Sequence, residues 1–245
     1  MVSARRGVRL LDIEPELGAA LTAAEFEEAR DQLVVAWTEL GPGAVAQRSL
    51  VGAEGAWGDV LGALVLDGVL RQDVRLLDRT CSRLVVAGDL MLFDGNPLGS
   101  LPSAFEWFVP DAARLALLDH RLLAAGARWP ALLSAVFERA AKQDRLSLCQ
   151  QAISQLPRVE DRLLAFFWMV ADRRGQVRAD AVHFTLPVTH EALGRMVGAR
   201  RPTISLGLTA LAEAGMLTAE GDRWRLSHAS RDAVAFGGAA PAGRA

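Results

Sequence analysis

Apolar residues in the first half of the chain come in short runs of β-branched and aliphatic side chains. The clearest runs occupy residues 33–38, 62–70, 74–77 and 82–88. Gly41-Pro42-Gly43, Asp67-Gly68 and Gly88-Asp89 punctuate them, and these groups are typical of turns. Strands at this spacing, with no long helix between them, predict a small barrel or a double-sheet jelly roll.

Helical patterns lie on both sides of these runs. Residues 10–17 predict a short leading helix, and Thr22 with Glu25 forms a capping-box pattern that opens a second helix ending near Gln32. From residue 121 to residue 156 apolar side chains recur at spacings of three and four, which predicts a long helix. Pro157 marks a hinge, after which residues 158–173 predict another amphipathic helix.

Residues 187–215 predict two short helices joined by a sharp turn. Thr189 is a good N-cap for the first helix, and Gly198 ends it because a left-handed glycine carries no Cβ penalty. The second helix should run from about residue 200 to residue 214, with Pro202 in its first turn, where the missing N–H costs nothing.

A strand is predicted before these helices, at residues 182–187, and a hairpin after them. The Gly221-Asp222 turn lies between short alternating segments, as in a hairpin. Two helices, a glycine turn and a following hairpin make a winged helix-turn-helix. This motif inserts its second helix into the major groove of DNA.

The residues of this C-terminal stretch also carry a family signature. The signature comprises Thr189, Gly198, Arg200-Arg201-Pro202-Thr203-Ile204-Ser205 and Leu211 with Gly215-Met216-Leu217. With these residues the chain resembles the Crp/Fnr transcriptional regulators, and the likeness is looser toward the N-terminus. The resemblance implies an α+β protein: an N-terminal double-stranded β-helix (a cyclic-nucleotide-binding-like jelly roll), a long connecting dimerisation helix and a C-terminal winged helix-turn-helix. The expected domains are a sensory barrel at 1–120, the dimerisation helix at 121–157, the DNA-binding domain at 158–235 and a disordered tail at 236–245.

The same resemblance assigns DNA contacts. By position in the family motif, Arg201 matches an arginine that reads a guanine edge, and a planar guanidinium can donate to both O6 and N7. Thr203 and Thr189 match phosphate-contacting positions, Arg200 lies beside Arg201, and Ser205 faces the same groove one turn further on. The alternative is that both arginines are simply solvated at a surface turn. The surrounding framework favours DNA contact.

Two positions depart from the best-known member of the family. Pro202 replaces an acidic base reader, and Leu206 replaces an arginine one turn further on. Proline cannot donate a hydrogen bond to a base, and leucine offers only apolar contact to a thymine methyl group. The recognised sequence should therefore differ from the familiar operator. Gly207, in the middle of this helix, indicates either a thin spot in the core or room for a close neighbour.

The resemblance also implies partners. In the family, the helix predicted over 121–157 pairs with its twin in a homodimer. The alternative is a helix that packs only on its own barrel, and we favour the dimer because a two-fold protein suits two half-sites of double-stranded DNA. RNA polymerase is a further partner that a regulator of this type implies.

Cyclic-nucleotide-binding members have a phosphate cassette with an arginine after the Gly-Asp turn. Here the turn is followed by residues 91–99, and no arginine or lysine lies between Leu84 and Ala113. A buried phosphodiester would meet carboxylates and no fixed cation. We therefore expect no cyclic AMP binding of the usual kind. An apolar or protein effector, a non-standard nucleotide site and constitutive DNA binding all remain open.

Residue usage argues against enzymatic and metal-binding functions. None of the four histidines (His120, His183, His190 and His228) lies in the predicted barrel, where a metal would need a cluster of ligands. The two cysteines are too few for an iron–sulfur cluster, and no nucleophile or phosphate-binding motif occurs. We therefore expect neither an enzyme nor a bound metal or cofactor. A metal-dependent barrel enzyme is the rival that metal analysis would detect.

Composition indicates a globular protein. Hydrophobic residues make up 51% of the chain, charged residues 23%, and the net charge is −2. No apolar run reaches the roughly 18 residues needed to cross a bilayer, and no signal-peptide pattern follows the N-terminal arginines. These features predict a cytoplasmic protein without membrane contact. The remaining rival is a scaffold protein whose winged helix binds protein instead of DNA.

Overall fold

The computed structural model describes residues 6–45, 60–93 and 103–235. Contacts divide the chain into two compact units, Met1–Ser147 and Leu148–Ala245. The predicted tail at 236–245 and most of the 91–99 segment lie outside the described residues.

The elements alternate between strand-rich and helix-rich stretches. The helices are α1 (Leu10–Ile13), α2 (Ala23–Gln32), α3 (His120–Gly126), α4 (Pro130–Ser154), α5 (Val159–Arg174), α6 (His190–Val197), α7 (Arg201–Glu213) and α8 (Ala229–Ala235), with a 3-10 turn at Pro15–Gly18. The strands are β1 (Arg6–Arg9), β2 (Val34–Leu40), β3 (Gly43–Val45), β4 (Val60–Leu76), β5 (Arg79–Val86), β6 (Leu90–Leu92), β7 (Ser103–Val109), β8 (Ala113–Asp119), β9 (Gln176–Val177), β10 (Ala181–Thr185), β11 (Leu217–Glu220) and β12 (Arg223–Ser227).

The N-terminal unit is built around the long strand β4. Its first half pairs with β6 and β8, and its second half pairs with β5 and β7, all antiparallel. The strand order is β1-β2-β8-β4-β7-β3. The curled sheet encloses an apolar core that includes Leu70, Trp107 and Leu115. The predicted barrel is confirmed.

The interpretation of Asp67-Gly68 as a turn is wrong. Gly68 lies inside β4 with a φ of 93°, and the pairing register with β8 shifts between Val65 and Asp67. A residue at positive φ and a register shift are typical of a β-bulge, which bends a strand without ending it. Because of the bulge, the single strand β4 can pair with strands in both halves of the barrel.

The helices of this unit match the predictions in part. The capping box of α2 is confirmed, since Thr22 Oγ1 accepts from the Glu25 amide at 3.4 Å and Glu25 Oε2 accepts from the Thr22 amide at 2.9 Å. The single leading helix predicted for residues 10–17 is wrong: α1 ends at Ile13 and a 3-10 turn begins at Pro15.

The long helix begins later than predicted. A short helix, α3, is capped by Asp119 and ends at Gly126, and α4 starts at Pro130. Proline disfavours helical backbone in the residue before it, so the chain breaks at the buried Trp129 and restarts with Pro130 in the first turn. Among the described helices, none is long and apolar enough to cross a membrane.

The C-terminal unit is a four-stranded sheet covered by helices. The strand order is β11-β12-β10-β9. The Phe167 ring of α5 packs against Phe184 of β10 and lies 4.3 Å from the Trp224 ring of β12, measured between centroids. Trp224 Nε1 donates to the Leu186 carbonyl at 3.0 Å, which ties the chain entering α6 to the hairpin. The predicted strand–helix–helix–hairpin order is confirmed.

Candidate nucleic-acid interface

Helices α6 and α7 begin and end at the residues that the sequence predicts. Thr189 Oγ1 accepts from the Ala192 amide at 3.1 Å, and Gly198 ends α6 in the left-handed conformation with φ 70° and ψ 40°. Pro202 lies in the first turn of α7, and Gly215, at φ 65°, follows its end. The turn between the two helices is thus set by local sequence, which holds the start of α7 in one orientation.

The inner face of α7 packs closely on α5. Ile204 and Leu211 are buried, and Leu208 is half-buried. A Cβ atom at Gly207 would lie 3.0 Å from Leu163 Cδ1 and 3.3 Å from Val159 Cγ1. Gly207 therefore makes room for a close neighbour, which settles the alternative left by the sequence.

The outer face of α7 is open to solvent at the positions expected to contact DNA. Arg200, Arg201, Pro202 and Thr203 are exposed, and Leu206 keeps 72% of its surface exposed. Thr189, at the start of α6, is exposed as well. Within the described parts of the chain, neither the Arg200 nor the Arg201 guanidinium has an ion-pair partner. Both cations are therefore available to an anionic ligand.

Two contacts at this face were missed by the sequence reasoning. His190 Nδ1 lies 2.9 Å from Ser205 Oγ, and Thr209 Oγ1 donates to the Ser205 carbonyl at 3.0 Å. The i, i+4 spacing of Ser205 and Thr209 signals the second contact in hindsight. The first joins two helices, and no local pattern reveals it.

Two other arginines of this unit, Arg195 and Arg223, have different surroundings. Arg195 donates to Glu191 Oε1 at 2.6 Å, one turn back on α6. Arg223 lies at the start of β12 and lines a groove of about 770 Å³ together with His183, Thr185 and Arg225. Asp180 accepts from Arg225 Nε at 3.2 Å, and that hydrogen bond, with a smaller contribution from His183, holds the pKa of Asp180 below its ordinary value.

The comparison with family models matches this unit. Residues 161–232 match the Crp-like helix-turn-helix domain. The C-terminal unit of this chain is therefore similar to the helix-turn-helix domain of Crp-like proteins. A comparison with curated proteins found no match.

Solved structures show a similar fold over most of the chain. A CooA mutant from Carboxydothermus hydrogenoformans has 15% identity and a TM-score of 0.63, over 94% of this chain and 95% of that one. FixK2 from Bradyrhizobium japonicum has 17% identity and a TM-score of 0.62, over 86% and 100%. A cyclic nucleotide-binding domain containing protein from Listeria monocytogenes EGD-e has 13% identity and a TM-score of 0.64, over 89% and 98%. At these identities the matches establish the fold alone.

The histidines and cysteines in the described part of the chain are dispersed. His120 starts α3, His183 is on β10, His190 is on α6, and His228 Nε2 contacts the Arg178 carbonyl at 2.8 Å. Over residues 6–45, 60–93 and 103–235, no group of three or more histidine, cysteine, aspartate or glutamate side chains is placed to hold a metal. Cys81 and Cys149 are exposed thiols.

Proposed function

We propose that this chain is a homodimeric regulator that binds specific DNA sequences through α7. The proposal rests on two exposed arginines, Arg200 and Arg201, which have no ion-pair partner among the described residues. They lie at the start of a helix whose opposite face packs against α5. Such a helix can enter the major groove without changing its own packing. The match of residues 161–232 to the Crp-like helix-turn-helix domain supports a role in the control of transcription.

We assign a separate role to each exposed group of this interface. Arg201 is the guanine reader, because its planar fork can donate to O6 and N7 together. Arg200, Thr203 and Thr189 lie around it and supply donors for the phosphate backbone, where contacts position the protein without carrying sequence information. Pro202 and Leu206 complete the face without a hydrogen-bond donor.

The dimer part of the proposal rests on α4. Phe137 and Leu148 are exposed by 73% and 59%, and Ala141 and Ala152 are also exposed. These four residues lie within a narrow stripe along one side of the helix, since their spacings of four, seven and four keep them on one face. An exposed apolar stripe of this kind is typical of a helix that pairs with another. The occupant that best fits is the same stripe of a second copy, because a two-fold pair of α7 helices would match two half-sites.

The effector part of the proposal is that cyclic AMP does not bind in the usual way. Asp89, in the β5–β6 turn, is buried, and its Oδ2 accepts from the Val86 amide at 2.9 Å. Segment 84–113 contains no lysine or arginine, and Arg139, whose Nη1 donates to the Gly88 carbonyl at 2.8 Å, is already paired with Glu14. A phosphate arriving at this turn would therefore meet a buried carboxylate and a guanidinium that already has an anionic partner. The effector must be recognised by other chemistry, or DNA binding is constitutive.

Salt dependence tests the DNA-binding proposal most simply. Binding of the full-length protein to a random-sequence duplex should weaken steeply as salt rises, because each neutralised phosphate releases counterions. Arg200→Gln, which removes the cation assigned to the phosphate backbone, should flatten the slope by about one. A salt-independent affinity, or no duplex binding with retained protein binding, would favour a scaffold role instead.

A further inference from the structure

The solvent side of α7 presents two adjacent rows of side chains. One row consists of Arg201, Ser205 and Thr209, and the other of Pro202, Leu206 and Ala210. Within each row the residues are four positions apart, so they lie nearly above one another along the helix. The rows differ in chemistry: the first carries the polar groups, and the second is apolar throughout.

The hydroxyl groups of the polar row are engaged within the protein. Ser205 Oγ donates to the Arg201 carbonyl at 3.2 Å, and Thr209 Oγ1 donates to the Ser205 carbonyl at 3.0 Å. Each hydroxyl has one hydrogen, so these bonds leave neither side chain a free donor. His190 Nδ1, at 2.9 Å from Ser205 Oγ, can occupy an acceptor position of the same hydroxyl. Ser205 therefore acts as a positioning residue between α6 and α7.

The apolar row is fully available. Pro202, Leu206 and Ala210 are exposed, and Leu206 projects with 72% of its surface free. In the major groove the C5 methyl group of thymine is the one apolar group that distinguishes a base pair. An apolar side chain beside a guanine-reading arginine is therefore suited to a base pair that carries a methyl group.

We propose that Leu206 is a specificity-determining residue that selects a thymine in each half-site by contact with its C5 methyl group. This inference rests on the proposed function, because it requires α7 to lie in the major groove. Each half-site would then contain two specifically recognised bases: a guanine that Arg201 recognises by hydrogen bonds, and a thymine that Leu206 recognises by apolar contact. Removing one buried methyl group should weaken binding about fourfold per thymine, and about fifteenfold when both half-sites are changed.

The test begins with a selection from a random-sequence duplex library using the full-length protein. In the enriched site, each thymine is then replaced in turn by deoxyuridine, which lacks only the C5 methyl group. Affinities are measured for the wild type, for Leu206→Ala and for Leu77→Ala. The Leu77→Ala variant is the matched control, because Leu77 is 81% exposed on the β4–β5 turn of the other unit.

The expected result is a loss of about fourfold at one thymine per half-site for the wild type and Leu77→Ala. For Leu206→Ala the thymine and deoxyuridine sites should bind equally. If no deoxyuridine substitution weakens wild-type binding, the inference is wrong while DNA binding stands. If Leu206→Ala keeps the full deoxyuridine effect, another residue contacts the methyl group and the inference is also wrong. A library that never enriches overturns the proposed function and this inference with it.

Discussion

The stripe on α4 gives a quantitative prediction for the dimer. Replacing both Phe137 and Leu148 by aspartate should convert the protein to monomers, because the stripe would then carry charges where two copies meet. Complete burial of such a side chain contributes about 1.5–3 kcal/mol. Scaled by exposed fractions of 73% and 59%, the two residues contribute about 1–2 kcal/mol each. Four such side chains per dimer then contribute about 4–8 kcal/mol, which corresponds to a rise in the dimer dissociation constant of about a thousandfold or more.

Sedimentation equilibrium measures this change directly. The control is Leu77→Asp, which places the same charge at an apolar side chain that is exposed outside the stripe. Circular dichroism checks that the double variant keeps its helical content. The reasoning is refuted if the double variant remains dimeric at micromolar concentration, or if the control dissociates equally.

Three further predictions concern stability, ionisation and ligand response. Arg139→Ala should lower the free energy of unfolding in urea by about 2–4 kcal/mol, because Glu14 would lose its half-buried partner at 2.8 Å and the Gly88 carbonyl would lose its donor. Arg128 and Glu28 form a more exposed pair, so Arg128→Ala should lower the free energy of unfolding by at most about 1 kcal/mol. Equal losses in the two variants would contradict the argument. Arg225→Gln should raise the pKa of Asp180 toward its ordinary value, as measured by a carboxyl NMR titration. In the wild type the hydrogen bond from Arg225 keeps Asp180 ionised until the pH falls through its lowered pKa. An unchanged titration would show that this hydrogen bond does not form in solution. Millimolar cyclic AMP should leave the thermal midpoint unchanged, since only a ligand that binds the folded protein raises it, and a clear increase would contradict the proposed absence of binding.

The C-terminal unit could be predicted from sequence because its signals are local. Thr189, Gly198 and Pro202 each act within one helical turn, so residue type alone indicates where α6 and α7 begin and end. The Gly221-Asp222 turn similarly fixes the hairpin, and Gly221 has a φ of 59°. These positions define the candidate interface before any tertiary contact is considered.

The errors arise where tertiary structure decides between local alternatives. Gly68 is compatible with a turn or a bulge, and only pairing of β4 with both β8 and β7 selects the bulge. Likewise, the contact of His190 with Ser205 joins two helices, so the local sequence around either residue does not predict it. The break at Trp129 is an error of a different kind, because Pro130 disfavours helical backbone in the residue before it and the apolar periodicity alone does not show that signal.

The most direct test of the account is the base preference of Arg201→Ala. Selected binding sites of the wild type and the variant should be compared, with every base pair of the half-site scored by affinity. We expect the variant to lose about 1–3 kcal/mol of preference for guanine at one base pair per half-site, while the other positions keep their order. Unchanged preference at every position would contradict the claim that the start of α7 reads DNA.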